Sequence, residues 1–110
     1  MDAQVKAKWI AALRSGKFQQ DTGYLKRDSG NGPRYCCLGV LCEVIDPNKF
    51  TQLSNGIYDY GLHGFATHIT VPTNVQKNIG LSDEKCDELT GMNDTGDSFA
   101  VIADHIERTL

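Results

Sequence analysis

The sequence predicts an α+β fold, in which helices pack around a central buried apolar helix, beside a β-hairpin and a small sheet. Residues 36–45 contain eight apolar residues and one charge, Glu43, so the rest of the chain has to surround this segment. Apolar residues recur at helical spacing near both ends of the chain, and two extended segments flank a Gly-rich turn. The 110 residues predict one domain, residues 1–110, with no room for a second.

The first predicted helix begins at Asp2, whose side chain is a suitable N-cap, and ends at Ser15-Gly16. Its apolar residues Val5, Trp9 and Leu13 follow at intervals of four and share one face. We expect Trp9 to pack on the central segment.

Residues 23–36 predict a β-hairpin. Turn-forming residues fill positions 28–33, and the two flanking arms each carry a tyrosine, Tyr24 and Tyr35. The second arm continues directly into the central segment.

The central segment, residues 36–45, is compatible with a buried strand or a buried helix, because periodicity does not separate the two. Its length, its two leucines and Gly39 as a close-packing point favour a helix, whereas its Val, Ile and Cys residues favour a strand. We predict a helix that stops at Asp46-Pro47, because a residue before proline is disfavoured in helical conformation.

Residues 47–71 contain turn signals at Asn55-Gly56, Gly61 and His63-Gly64. Residues 57–60 alternate as a strand does, and residues 68–71 are a second candidate strand. We therefore expect residues 57–71 to complete a small sheet.

Three helices are predicted in residues 72–110. Pro72 occupies a first-turn position of the first, which ends at Gly80, and Ser82 opens the second, which ends near Gly91. Asp97-Ser98 caps the last helix, in which four apolar residues repeat at helical spacing: Phe99, Ile102, Ala103 and Ile106.

Asp94-Thr95-Gly96 matches the tripeptide of aspartic proteases, a motif that needs apolar strands on both sides to hold two carboxylates together. Here Asn93 precedes the tripeptide and Asp97 follows it, so we interpret the match as coincidence. The same residues lack the alternating ligand spacing of a calcium loop. We predict a turn and a helix cap in their place.

No apolar run approaches the roughly 18 residues that a membrane-spanning helix needs, and residues 1–6 lack the apolar core of a signal peptide. We therefore expect a cytoplasmic protein without a membrane partner. The four cysteines are then free thiols by default, because the compartment is reducing.

The spacing of the cysteines argues against a metal site. On a helix, Cys36, Cys37 and Cys42 point in three directions, and on a strand Cys36 and Cys42 would lie about 20 Å apart. Apolar neighbours disfavour a reactive thiolate in the central segment, and acidic neighbours disfavour one at Cys86. We predict structural core thiols, with no metal, no cofactor and no catalytic residues.

Positive charge is concentrated in residues 1–35, which hold seven of the eleven Lys and Arg residues and three of the fourteen acidic residues. The acidic remainder of the chain disfavours broad nucleic-acid binding. The hairpin, however, combines cations with aromatic rings, a combination that holds phosphate groups and stacks on planar ligands. A solvated hairpin with aromatic residues packed across its strands is the alternative. The candidate residues for binding a ligand or partner are Tyr24, Lys26, Arg27, Arg34, Tyr35, Tyr58, Tyr60 and His63.

Three motifs together resemble a known family. They are the Trp-Ile-Ala-Ala-Leu-Arg-Ser-Gly-Lys-Phe segment at 9–18, Cys-Cys-Leu-Gly-Val-Leu-Cys at 36–42, and Asn-Asp-x-Gly-x-Ser-Phe-Ala-x-Ile-Ala-Asp at 93–104. In this order and spacing they resemble a family of small, functionally uncharacterised proteins of tailed bacteriophages and prophages. The resemblance implies a viral origin and expression inside a bacterium, and it supplies no catalytic residues.

The function that we expect is that of a small phage-encoded binding protein, which acts on a host component and serves in counter-defence. The partner would be a host protein or a small anionic ligand such as a nucleotide. Two alternatives remain open. One is an enzyme that acts on a nucleotide-like substrate with His63, His68 or the acidic residues, and the other is a virion assembly protein that self-associates through an apolar patch.

Overall fold

The computed structural model describes residues 1–61 and 68–110, which contain five α-helices, a short 3₁₀ turn and five short strands. The helices are α1 (Ala3–Arg14), α2 (Cys37–Ile45), α3 (Thr73–Ile79), α4 (Asp83–Asp94) and α5 (Phe99–Thr109). The strands are β1 (Gln19–Gln20), β2 (Lys26–Asp28), β3 (Pro33–Tyr35), β4 (Phe50–Gln52) and β5 (Tyr58–Tyr60), with the 3₁₀ turn at Pro47–Lys49. The predicted α+β class is confirmed.

Helix α2 lies at the centre of the fold, as predicted. Its residues 37–42 are all buried, and α1 and α4 pack against it. The indole N–H of Trp9 donates a hydrogen bond of 2.9 Å to the carbonyl of Cys37, so α1 is attached to the first turn of α2. Gly39 faces the backbone of Leu25 so closely that a Cβ atom there would lie 1.7 Å from the Leu25 carbonyl oxygen. The choice of a helix over a buried strand for residues 36–45 is therefore confirmed.

The predicted hairpin is formed by β2 and β3, which pair antiparallel with Lys26 opposite Tyr35 and Arg27 opposite Arg34. A third strand, β1, was not predicted, and it pairs parallel with β3 to give the order β1-β3-β2. Two residues give too short a pattern to be recognised in the sequence.

The second sheet differs from the prediction. Strand β5 forms at the expected place, but its partner is β4, whereas residues 68–70 form a turn rather than a strand. The 3₁₀ turn at Pro47–Lys49 leads from α2 into β4, and a short turn that contains Asn55-Gly56 connects β4 to β5. An isolated bridge between Arg27 and Ile57 joins this sheet to the hairpin.

Helices α3, α4 and α5 begin and end largely where the sequence predicts. Gly80 closes α3 with φ +72°, and the side chains of Ser82 and Ser98 cap α4 and α5. The expected end of α4 near Gly91 is wrong, because Gly91 has ordinary helical geometry and the helix continues to Asp94. This extra turn brings Asn93 into the interior.

None of the helices in the described part of the chain has the length and apolar character needed to cross a bilayer.

Candidate functional site

The two faces of the hairpin have different environments. Residues directly opposite each other in an antiparallel pair lie on the same face, so Arg27 and Arg34 share one face and Lys26 and Tyr35 share the other. Gln19 of β1 pairs with Arg34 and extends the first face. We call the face that carries Arg27, Arg34 and Gln19 the outer face, and the face that carries Lys26 and Tyr35 the inner face.

On the inner face, three aromatic rings and a carboxylate surround the ammonium group of Lys26. Its Nζ atom lies 5.4, 4.9 and 4.6 Å from the ring centroids of Tyr35, Phe50 and Tyr58, and 3.7 Å from an oxygen of Glu43. A cation that lies over aromatic rings at such distances is stabilised by their quadrupoles. The side chain of Lys26 is 13% exposed, so these contacts bind β2 to α2 and to the second sheet.

The other inner tyrosines also have contacts within the protein. Tyr60 is fully buried, and its hydroxyl donates a hydrogen bond of 3.0 Å to the carbonyl of Cys42. Tyr35 packs edge-on against Phe18, and burial, with a further contribution from Glu43, raises the pKa of its hydroxyl. The structure therefore divides the predicted site residues, because Lys26, Tyr35 and Tyr60 point into the core, and Tyr58 packs with them.

On the outer face, Arg27 is held in one orientation. Its Nε and Nη2 groups donate hydrogen bonds of 3.1 and 2.8 Å to the same oxygen of Asp21. Its guanidinium carbon lies 5.2 Å from the ring centroid of Tyr24, and that ring stacks on the His68 imidazole with centroids 6.2 Å apart. His68 in turn has its Nδ1 atom 3.8 Å from a carboxylate oxygen of Asp59.

Arg34 differs from Arg27 in having no such support. It is exposed, and no carboxylate within residues 1–61 and 68–110 lies within ion-pair distance of it. Beyond Arg27, the outer face continues to Ile57, which is opposite Arg27, and to Leu53, which is 39% exposed. The outer face therefore presents the Arg27–Asp21 ion pair, the Asp59 carboxylate and the exposed Arg34 guanidinium beside an apolar margin.

His63, the remaining predicted site residue, lies outside the described residues. The predicted turn at His63-Gly64 lies outside them as well.

A buried amide network supports the outer face and was missed by the sequence reasoning. The Asn93 side-chain oxygen accepts hydrogen bonds from the backbone N–H of Cys37 (3.1 Å) and from the amide of Gln20 (3.0 Å). The Asn93 amide nitrogen donates to the backbone carbonyl of Asp21 at 2.8 Å. A usable signal was present, because Asn93 follows Cys86 and Leu89 at helical spacing on the buried face of α4.

All four cysteines are buried. Burial raises the pKa of the Cys36 and Cys86 thiols to about 11 and raises those of Cys37 and Cys42 well above the usual value. At neutral pH the protonated form therefore dominates, and the Cys36 sulfur accepts the backbone N–H of Gly39 as a helix cap. Within the described part of the chain, no three His, Cys, Asp or Glu side chains are grouped so that they could hold a metal ion.

Two cavities are lined by described residues that do not belong to the outer face. One, of about 340 Å³, lies between the 3₁₀ turn and the start of α3, beside Asn48, Pro72 and Asn74. Another, of about 540 Å³, is an open groove along α1 beside Ala3, Ala7 and Glu107.

Residues 1–110 match the family described as "Domain of unknown function (DUF8296)". No curated protein and no solved structure matches the chain.

Proposed function

We propose that this chain, which belongs to the DUF8296 family over residues 1–110, is a small binding protein. Its outer hairpin face binds an acidic surface of a partner protein. The observation that carries this proposal is the position of Arg34, which is exposed, directly opposite Arg27 and without a carboxylate partner among residues 1–61 and 68–110.

The electrostatics of this pair favour an added anion. Asp21 already compensates the charge of Arg27, so Arg34 is the member of the pair that has no counter-charge among residues 1–61 and 68–110. A carboxylate that accepts hydrogen bonds from Arg34 supplies this counter-charge, and it forms charge-assisted hydrogen bonds that are stronger than neutral ones.

Two features favour a protein partner over a nucleotide. Sites for small ligands are usually concave, whereas Arg34 and Gln19 lie on an exposed sheet face. The Tyr24 ring, which could stack on a base, already contacts both Arg27 and His68. The apolar margin of Ile57 and Leu53 beside the arginines suits a protein interface, in which apolar contacts supplement the charges.

The proposal extends to the biological setting. The resemblance to phage and prophage proteins supports a viral protein that acts in the bacterial cytoplasm, with a host protein as its partner and counter-defence as its role. Electrostatic complementarity would then accelerate association and select against basic partners.

The experiment that tests the proposal compares Arg34→Glu with Arg108→Glu, an identical charge reversal at an exposed position of α5. Each tagged protein is used to capture partners from a bacterial lysate, and the affinity of a purified partner is then measured at two salt concentrations. We expect Arg34→Glu to weaken binding about tenfold or more, with a reduced salt dependence, and Arg108→Glu to bind normally.

Equal binding by the unsubstituted protein, Arg34→Glu and Arg108→Glu would contradict the outer face as the interface. A thermal shift caused by a nucleotide and abolished by Arg34→Glu, without any protein partner, would replace the proposed partner with a small anionic ligand.

A further inference from the structure

We infer that Asp21 determines the affinity and selectivity of the outer face, because its fixed carboxylate cancels the charge of Arg27 and leaves Arg34 to bind the partner's anion. The inference rests on the proposed function and specifies which arginine the partner engages. It makes Asp21 an internal substitute for a partner carboxylate.

The position of the Asp21 carboxylate is defined by contacts on both of its oxygens. One oxygen accepts the backbone N–H of Thr22 at 2.9 Å, and the other accepts two N–H groups of Arg27. The side chain of Asp21 is 12% exposed, compared with 34% for Arg27.

The backbone of Asp21 is fixed as well. Its N–H donates to the Tyr35 carbonyl at 2.8 Å, and its carbonyl accepts the amide of Asn93 at 2.8 Å. The carboxylate is therefore anchored to β3 and to α4, so an approaching anion cannot easily displace it from Arg27.

Two consequences follow for binding. Two of the five N–H groups of Arg27 and most of its charge are already used by Asp21, whereas the donors and the charge of Arg34 are not used by any residue of 1–61 and 68–110. An approaching carboxylate is also repelled by Asp21. At a separation taken as about 8 Å, removing one unit charge changes an affinity by roughly two- to thirtyfold, depending on how well water screens the interaction. The Asp21→Asn side chain keeps one oxygen, which can accept the two N–H groups of Arg27 at the loss of the Thr22 contact. This variant should therefore bind anions more tightly than the unsubstituted protein.

The test uses a fluorescein-labelled hexaglutamate peptide as the probe and measures its anisotropy at low ionic strength. The proteins are the unsubstituted chain, Asp21→Asn, Arg34→Gln and Asp87→Asn, the last being a matched loss of one carboxylate at an exposed position of α4. We expect Asp21→Asn to bind at least about twofold tighter, Arg34→Gln to bind more weakly and Asp87→Asn to bind as the unsubstituted chain does. Binding by Asp21→Asn that is equal or weaker overturns the inference.

A second measurement does not depend on the folding of any variant. In the unsubstituted protein, titration with the peptide should change the NMR chemical shift of the Arg34 Nε–H group. The chemical shift of the Arg27 Nε–H group should stay constant, because Asp21 keeps its hydrogen bond to that group. Movement of the Arg27 signal alone overturns the inference. If the unsubstituted chain does not bind the peptide at all, the proposed function itself fails, whereas binding without a gain in Asp21→Asn defeats only the role of Asp21.

Discussion

Replacing Gly39 with alanine tests the central packing of this fold. Gly39 lies in the buried helix α2, where a Cβ atom would be 1.7 Å from the carbonyl oxygen of Leu25 and 2.6 Å from its carbonyl carbon. Both are backbone atoms of a residue that is itself fully buried. A side-chain rotation cannot relieve the overlap, so α2 or the segment before β2 has to move.

The size of the effect follows from competing contributions. Alanine improves the helix propensity by about 0.8–1 kcal/mol, and overpacking of a core usually costs about 1–3 kcal/mol, occasionally more. The obstacle here is backbone, and an ordinary contact would need a shift of about 1.5 Å or more in a close-packed interior. We therefore expect a net loss of at least about 2–3 kcal/mol of unfolding free energy, which corresponds to a melting temperature lower by roughly 10–20 °C in a domain of this size.

Gly91 supplies the matched control, because it lies inside α4, is exposed, and a Cβ atom there would have no neighbour within 4 Å. Gly91→Ala should raise the unfolding free energy by about 0.5–1 kcal/mol. Urea unfolding followed by Trp9 fluorescence measures both variants. If Gly39→Ala is as stable as Gly91→Ala, the close approach of α2 to Leu25 is not a feature of the folded protein.

Two further substitutions test the interior and the surface. Asn93→Leu removes the partners of the Cys37 N–H and the Asp21 carbonyl, so we expect the free energy of unfolding to fall by about 2–4 kcal/mol. Urea unfolding measures this change, and a decrease below about 0.5 kcal/mol would contradict the network. Arg14 lowers the pKa of Glu107. The pair therefore stabilises the folded state at pH values above the ordinary pKa of glutamate, and this contribution is lost as the pH falls through the lowered pKa of Glu107. Arg14→Met should therefore flatten the acid side of the stability profile, and an unchanged profile would rule out this contribution.

Much of the fold could be predicted because its signals are local. The side chains of Asp2, Ser82 and Ser98 cap helices within three residues of themselves, and the apolar face of α5 repeats within four residues. The hairpin was predictable for the same reason, since its arms are separated by a short turn rich in Gly and Asn.

The candidate site was predicted only in part. Alternation along a strand already places Lys26 and Arg27 on opposite faces, so grouping them in one site overlooked a rule available from the sequence. The sequence does not indicate which face of the hairpin is exposed to solvent, because that depends on the packing of Phe50, Tyr58 and Glu43 around Lys26. These groups come from distant segments of the chain.

The sequence by itself determined the helices, their caps, the hairpin and the burial of residues 36–45, because neighbouring residues encode those features through hydrogen bonding and periodicity. Only the tertiary structure decided that β4 rather than residues 68–71 pairs with β5, and that Asn93 supports Asp21. It also decided that Arg34 is left without a counter-charge among residues 1–61 and 68–110. The physical reason is that strand pairing and charge compensation depend on which distant segments meet, and packing of the whole core determines those meetings.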